Sequence, residues 1–132
     1  MPSTNYLGNI LLDFILGAVS YSPPATVYIG LFTATPTPST AGTEVAGGSY
    51  GRVAITNDTT EFPVAVSKSK SNANSVTFAA ATAGWGTVVA IGVFDDLTAG
   101  NLMLFASLST PRLVNTGDAP NFAIGQLVFN AV

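Results

Sequence analysis

The sequence predicts a mainly β fold: an antiparallel β-sandwich, jelly-roll-like, with one N-terminal α-helix, forming a single domain over residues 1–132. Three observations lead there. Apolar residues recur at helical spacing only near the start of the chain, after which the period drops to two. Turn signals then recur about every ten residues, the rhythm of short antiparallel strands. A chain of 132 residues can also bury roughly two-thirds of its unfolded surface, enough for a core without staples.

The helix is expected over residues 3–20. Tyr6, Leu7, Ile10, Leu11, Phe14, Ile15 and Ala18 fall at i, i+3, i+4, i+7 spacing and share one face. Ser3, Thr4 and Asn5 are candidate N-caps, because a side-chain oxygen there accepts from the free amides of the first turn. Asn9 and Asp13 mark the wetter side, while Leu12, Leu16 and Val19 widen the apolar surface beyond one stripe. Such a helix meets more than one surface, either as a lid on the domain or against a neighbouring subunit. Ser22-Pro23-Pro24 is the expected stop, since proline lacks the amide donor and restricts the residue before it. The apolar run Ile10 to Val19 is too short to span a bilayer, which takes about 20 residues, and Asp13 interrupts it. No lysine or arginine precedes it, so it does not read as a secretory signal.

Strands account for the rest. Val27, Ile29 and Leu31 alternate with Tyr28, Gly30 and Phe32, giving a strand apolar on both faces. Thr35-Pro36-Thr37-Pro38-Ser39 breaks it, and residues 33–48 are expected to form an exposed loop or arm. Tyr50 to Thr56 is the next strand, and Asn57-Asp58-Thr59-Thr60 a turn. Phe62 to Val66 reads as a short edge strand, confined there by Pro63. Ser67 to Ser75, with both lysines, reads as a polar loop. Val76 to Phe78 is a strand, and Thr87 to Phe94, rich in β-branched residues, is the central one. Asp95 to Gly100 is a hairpin connection leading into the alternating Leu102, Leu104, Ala106 and Leu108, which Pro111 closes. Phe122 to Ile124 and Gln126 to Asn130 come last.

Composition narrows the chemistry. Cysteine and histidine are both absent, which removes disulfides, thiolates, imidazole bases and Cys/His metal sites. Charged residues make up 8%, against about 25% in ordinary soluble domains. The four bases, Arg52, Lys68, Lys70 and Arg112, are too few to neutralise a run of phosphates, so no nucleic-acid partner is expected. No spacing selects a glycosidase pair from the seven acids, and Asp95-Asp96 reads as turn chemistry. Lys68 and Lys70 sit in polar sequence with no nucleophile frame, and Gly47-Gly48-Ser49-Tyr50-Gly51 opens no phosphate-binding motif. The expectation is therefore no catalysis, no cofactor, no metal and no membrane partner. Trp85, between two glycines, reads as a core or interface plug, with sugar stacking as the alternative. Arg52 and Arg112 each suit either an internal ion pair or a carboxylate on a neighbouring subunit.

Several stretches taken together carry a resemblance. They are Pro23 to Leu31, Gly47 to Val53, Trp85-Gly86-Thr87-Val88 with Ile91 to Asp95, Gly100-Asn101-Leu102, Gly117-Asp118-Ala119-Pro120 and Phe122 to Gly125. The chain resembles a group of small β-rich structural proteins of tailed bacteriophages, known as tail-fibre or capsid cement (decoration) proteins. The resemblance implies a virion component assembled in the host cytoplasm, with no catalytic residues to carry over. The first expectation it gives is a capsid cement protein that bridges major capsid subunits. The alternative is a tail-fibre or neck/tail adaptor subunit, and a carbohydrate-binding module for host recognition is the third. Partners are then other copies of this chain and the major capsid protein or other virion proteins. The residues expected at such contacts are Tyr6, Ile10, Leu12, Leu16, Val19, Tyr50, Arg52, Trp85 and Arg112.

Overall fold

In the computed structural model, which describes residues 2–131, the two most apolar runs of the sequence lie side by side. Strand β1 (Thr26–Ala34) pairs antiparallel with β6 (Gly86–Phe94), and β6 forms a hairpin with β7 (Leu102–Val114). The far edge of β1 is shared by two short strands. β3 (Val53–Thr56) takes Thr26 to Ile29, and β2 (Thr43–Glu44) takes Phe32 and Ala34. These five make one antiparallel sheet, with β6 in the middle as its β-branched sequence predicts. Two ribbons follow: β4 (Ser69–Ser71) with β9 (Val128–Asn130), and β5 (Val76–Thr77) with β8 (Asn121–Phe122). The chain is thus mainly β, antiparallel throughout its ladders, with one N-terminal helix, α1 (Asn5–Ile15).

The core follows from the period-two pattern. Val27, Ile29 and Leu31 point to one face of the sheet, where they meet Val88, Ile91 and Val93 and the ribbon-side residues Val76, Phe78 and Leu127. A break in register between Val88 and Ala90 lets both Val88 and Ile91 reach this cluster. Each such side chain contributes roughly 1.5–3 kcal/mol by burial. The other face carries a smaller cluster of Phe32, Ala90 and Phe94. Its geometry depends on a cross-strand pair of glycines, Gly30 opposite Gly92. The Phe94 ring crosses over Gly30 and the Phe32 ring over Gly92, and the two rings stack with centroids 5.8 Å apart. A Cβ on Gly92 would stand 2.7 Å from Phe32 and 2.6 Å from Leu102.

Several boundaries differ from the sequence reading. The helix stops at Ile15, well before the prolines, because Ala18 adopts a left-handed φ of 53° and the Val19 amide folds back to the Asp13 carbonyl at 3.0 Å. Residues 33–48 are exposed along most of their length, as expected of a loop, but they are tied back to the sheet. β1 continues to Ala34, Thr43–Glu44 pairs back onto it, and Pro36 and Val45 are buried. The strand expected from Tyr50 begins only at Val53. Phe62 to Val66 forms no strand: Asp58 closes a single turn by accepting from the Thr60 and Glu61 amides, and Phe62 drops edge-on against Phe129. The strand lies instead in the polar segment, at Ser69–Ser71, held by its pairing with β9 rather than by propensity. Pro111 does not close β7, which runs on to Val114. Its outer edge has no ladder bond to lose there, and the register already breaks between Ser107 and Arg112.

Gly92→Ala should lower stability by about 1–3 kcal/mol, the range for overpacking a filled site. Gly51→Ala, where an added Cβ meets nothing within 4 Å, is the control. Thermal melts followed by circular dichroism check this; equal midpoints for the two variants would refute the packing account.

Candidate interaction surface

Few charges exist in this chain, and most are spent internally. Glu44 and Arg52 form a two-pronged ion pair, Arg52 Nη2 to Glu44 Oε1 and Arg52 Nε to Glu44 Oε2, both at 2.8 Å. The Arg52 side chain is 7% exposed. Its remaining nitrogen, Nη1, donates to the Asp96 and Ala99 carbonyls in the β6–β7 turn, and its guanidinium lies 3.4 Å from the centre of the Phe94 ring. Tyr50 completes the group. Its hydroxyl donates to Glu44 Oε2 at 2.6 Å and accepts from the Leu31 amide at 2.9 Å. Burial, reinforced by the hydrogen bond to the Glu44 carboxylate, pushes the Tyr50 hydroxyl well above its ordinary pKa. Of the two arrangements open to Arg52, the structure therefore has the internal one.

Most of the other acids close turns or hold neighbouring segments. Asp95 accepts from Asn101, Asp96 from the Leu97 amide, Asp118 from the Asn115 amide and Glu61 from Asn74. Trp85 is 6% exposed, stands edge-on to Tyr50, and donates its indole N–H to the Gly48 carbonyl at 2.9 Å. Enclosed in this way, its ring has no open face on which a sugar could stack. Tyr50, Arg52 and Trp85, three of the residues expected at contacts, thus turn inward together.

Helix α1 does the opposite. Thr4 anchors its start: the backbone amide donates to the Met103 carbonyl at 2.9 Å, and the hydroxyl donates to the Leu102 carbonyl at 2.6 Å while capping the Leu7 amide. The Asn5 amide donates to the Pro38 carbonyl. Beyond this anchor only Leu7 packs against the core, Ile10 is half-buried, and no residue of the helix is fully buried. Tyr6, Leu12, Leu16 and Val19 are exposed, and so are Leu11, Phe14 and Ile15. As a lid the helix would cover the core; instead its apolar residues face outward.

A second feature lies along β7. Between its C-terminal half and the segment Asp118 to Val128 runs a groove of about 810 Å³. Leu31, Val88, Ile91 and Leu127 form its floor, and Arg112 stands exposed among its lining residues. The sequence reading named Arg112 but not the groove. The only trace of it in the sequence is Pro111, which marks a strand edge that no neighbour completes.

Two more facts bear on what such a surface is for. No helix is long and apolar enough to cross a membrane, and no cluster of metal-ligating residues occurs among the described residues. Residues 2–130 match the family described as Podophage GP4 fiber I protein gp80. No curated protein matches the chain.

The Tyr50 hydroxyl yields a pH test. Its folded-state pKa lies above the unfolded value of 10.0, so its stabilising contribution is complete below that pH and is lost progressively above it. Tyr50→Phe should cost about 1–3 kcal/mol near neutrality, by orphaning the Leu31 amide and removing one of the two hydrogen bonds to Glu44 Oε2. It should also flatten the alkaline decline in melting temperature above about pH 10. Melts of both proteins across that range check the sign; parallel alkaline declines would remove Tyr50 as the cause.

Proposed function

This chain belongs to the Podophage GP4 fiber I protein gp80 family, and on that premise we propose that it is a structural subunit of a phage tail fibre, acting by binding and not by catalysis. The observation that carries the reading is the family match across almost the whole chain, residues 2–130. The exposed α1 agrees with it. Of the virion addresses that the sequence suggests, the family's description favours the fibre; the capsid shell, our first expectation from the sequence, has no finding behind it.

The physics suits such a role. A fibre subunit must hold its neighbours as salt varies. Exposed ion pairs weaken as ionic strength rises, whereas burial of apolar area does not. This chain keeps its one ion pair among the described residues inside and leaves leucine, isoleucine and phenylalanine outside. Its partners are other copies of itself and further virion proteins. A subunit that binds only the assembled fibre stabilises it by mass action, copy by copy.

Cryo-electron microscopy of whole particles, with antibody labelling of this chain, tests the address. Copies should appear on the tail fibres. Copies confined to positions between capsomers would overturn the fibre reading in favour of the shell.

A further inference from the structure

We propose that helix α1 of one subunit docks in the groove along β7 of a second copy. The inference rests on the oligomeric reading above and specifies its contact. Three observations support it.

The first is area. Leu11, Leu12, Phe14, Ile15, Leu16 and Val19 are each more than half exposed. Together they present on the order of 600 Å² of apolar surface, at the upper end for a typical monomer. They surround the helix and the residues just after it rather than forming one stripe, and Leu12 and Leu16 are the ones on the side of Asp13.

The second is charge. Six of the seven acids accept hydrogen bonds within the chain; the seventh, Asp13, has no such partner among the described residues, and it is the only charged residue of α1. Arg112 is likewise the arginine with no acceptor among the described residues, and it stands at the groove. A lone carboxylate on an apolar helix and a lone guanidinium on an apolar-floored groove are complementary, and joining them would leave neither charge unpaired in the interface.

The third is placement. Thr4 fixes the start of α1 to Leu102 and Met103, where β7 begins, whereas the groove follows the other half of the same strand, from Ala106 to Val114. α1 does not fill the groove of its own chain, and a second copy brings an identical helix. Asn9, Leu12 and Asp13 lie on one side of the helix at i, i+3 and i+4 spacing, and Leu16, its C-cap, follows at i+7. That side would set Leu12 and Leu16 over the floor, with Asp13 towards Arg112.

The chain has no cysteine, so introduced thiols report cleanly. Asn9→Cys and Ser109→Cys change exposed positions, one on the helix and one at the groove. Mixed under mild oxidation, the two variants should form a disulfide-linked dimer that neither forms alone. A parallel measurement uses Asp13→Arg and Arg112→Asp in sedimentation velocity. Each variant alone sets like charges together and should associate about tenfold more weakly; mixing them should restore association. Self-linkage of Asn9→Cys would overturn the proposal by showing helix against helix. Failure of both mixtures while the unaltered chain still oligomerises would overturn the docking and leave the oligomeric reading intact. An unaltered chain that stays monomeric at every concentration would overturn both.

Discussion

The gap on the outer edge of β1 is the constraint on which the rest of the structure depends. Two strands cover that edge without meeting, and Leu31 lies in the interval between them. Its carbonyl accepts from the Val45 amide and its amide donates to the Tyr50 hydroxyl, so a side chain stands in for the missing strand. Tyr50 can do this because Gly30 leaves room for its hydroxyl and for the Glu44 carboxylate, each about 3 Å from where a Cβ would be. Arg52 then neutralises Glu44 and reaches across to the β6–β7 turn. One cluster thereby ties both edge strands to the hairpin on the far side of β1. Removing either charged partner would leave the other buried and unpaired, which is costlier than the net value of the pair.

That arrangement explains why so neutral a chain still folds to one register. Register in a sheet apolar on both faces is weakly specified by hydrophobicity alone, since a one-residue slip exchanges one apolar face for the other. β1 and β6 are of this kind. The opposed glycines and the stacked rings over them fit in one alignment, and the Glu44–Arg52–Tyr50 cluster meets its partners only in that alignment. Most of the few charges thus serve specificity inside, and the outer surface of α1 is left largely apolar.

The sequence made the strong periodic elements legible. Thr87 to Phe94 as a central strand, its hairpin with the following leucines, and the helical start near Thr4 could all be read from pattern and capping chemistry. It concealed what depends on distant partners. Ser69–Ser71 has no strand propensity and becomes a strand because Val128–Asn130 lies beside it. Thr43–Glu44 sits in a Pro/Gly/Thr-rich stretch that looked exposed, yet Glu44 is drawn back by Arg52. At the interaction surface, α1 was found by its excess of apolar residues. Tyr50, Arg52 and Trp85 were chosen by residue type, and residue type does not say which way a side chain points. Of the groove the sequence shows no more than Pro111 at a strand edge, because the groove is the space that β7 and the C-terminal segment leave between them.

The bare helix also has a consequence for how long the lone subunit survives. A solute that displays a band of leucine, isoleucine and phenylalanine, with a net charge of only −3 for mutual repulsion, has little colloidal protection. Its lifetime in free solution should therefore shorten as its concentration rises, unless another surface covers the helix.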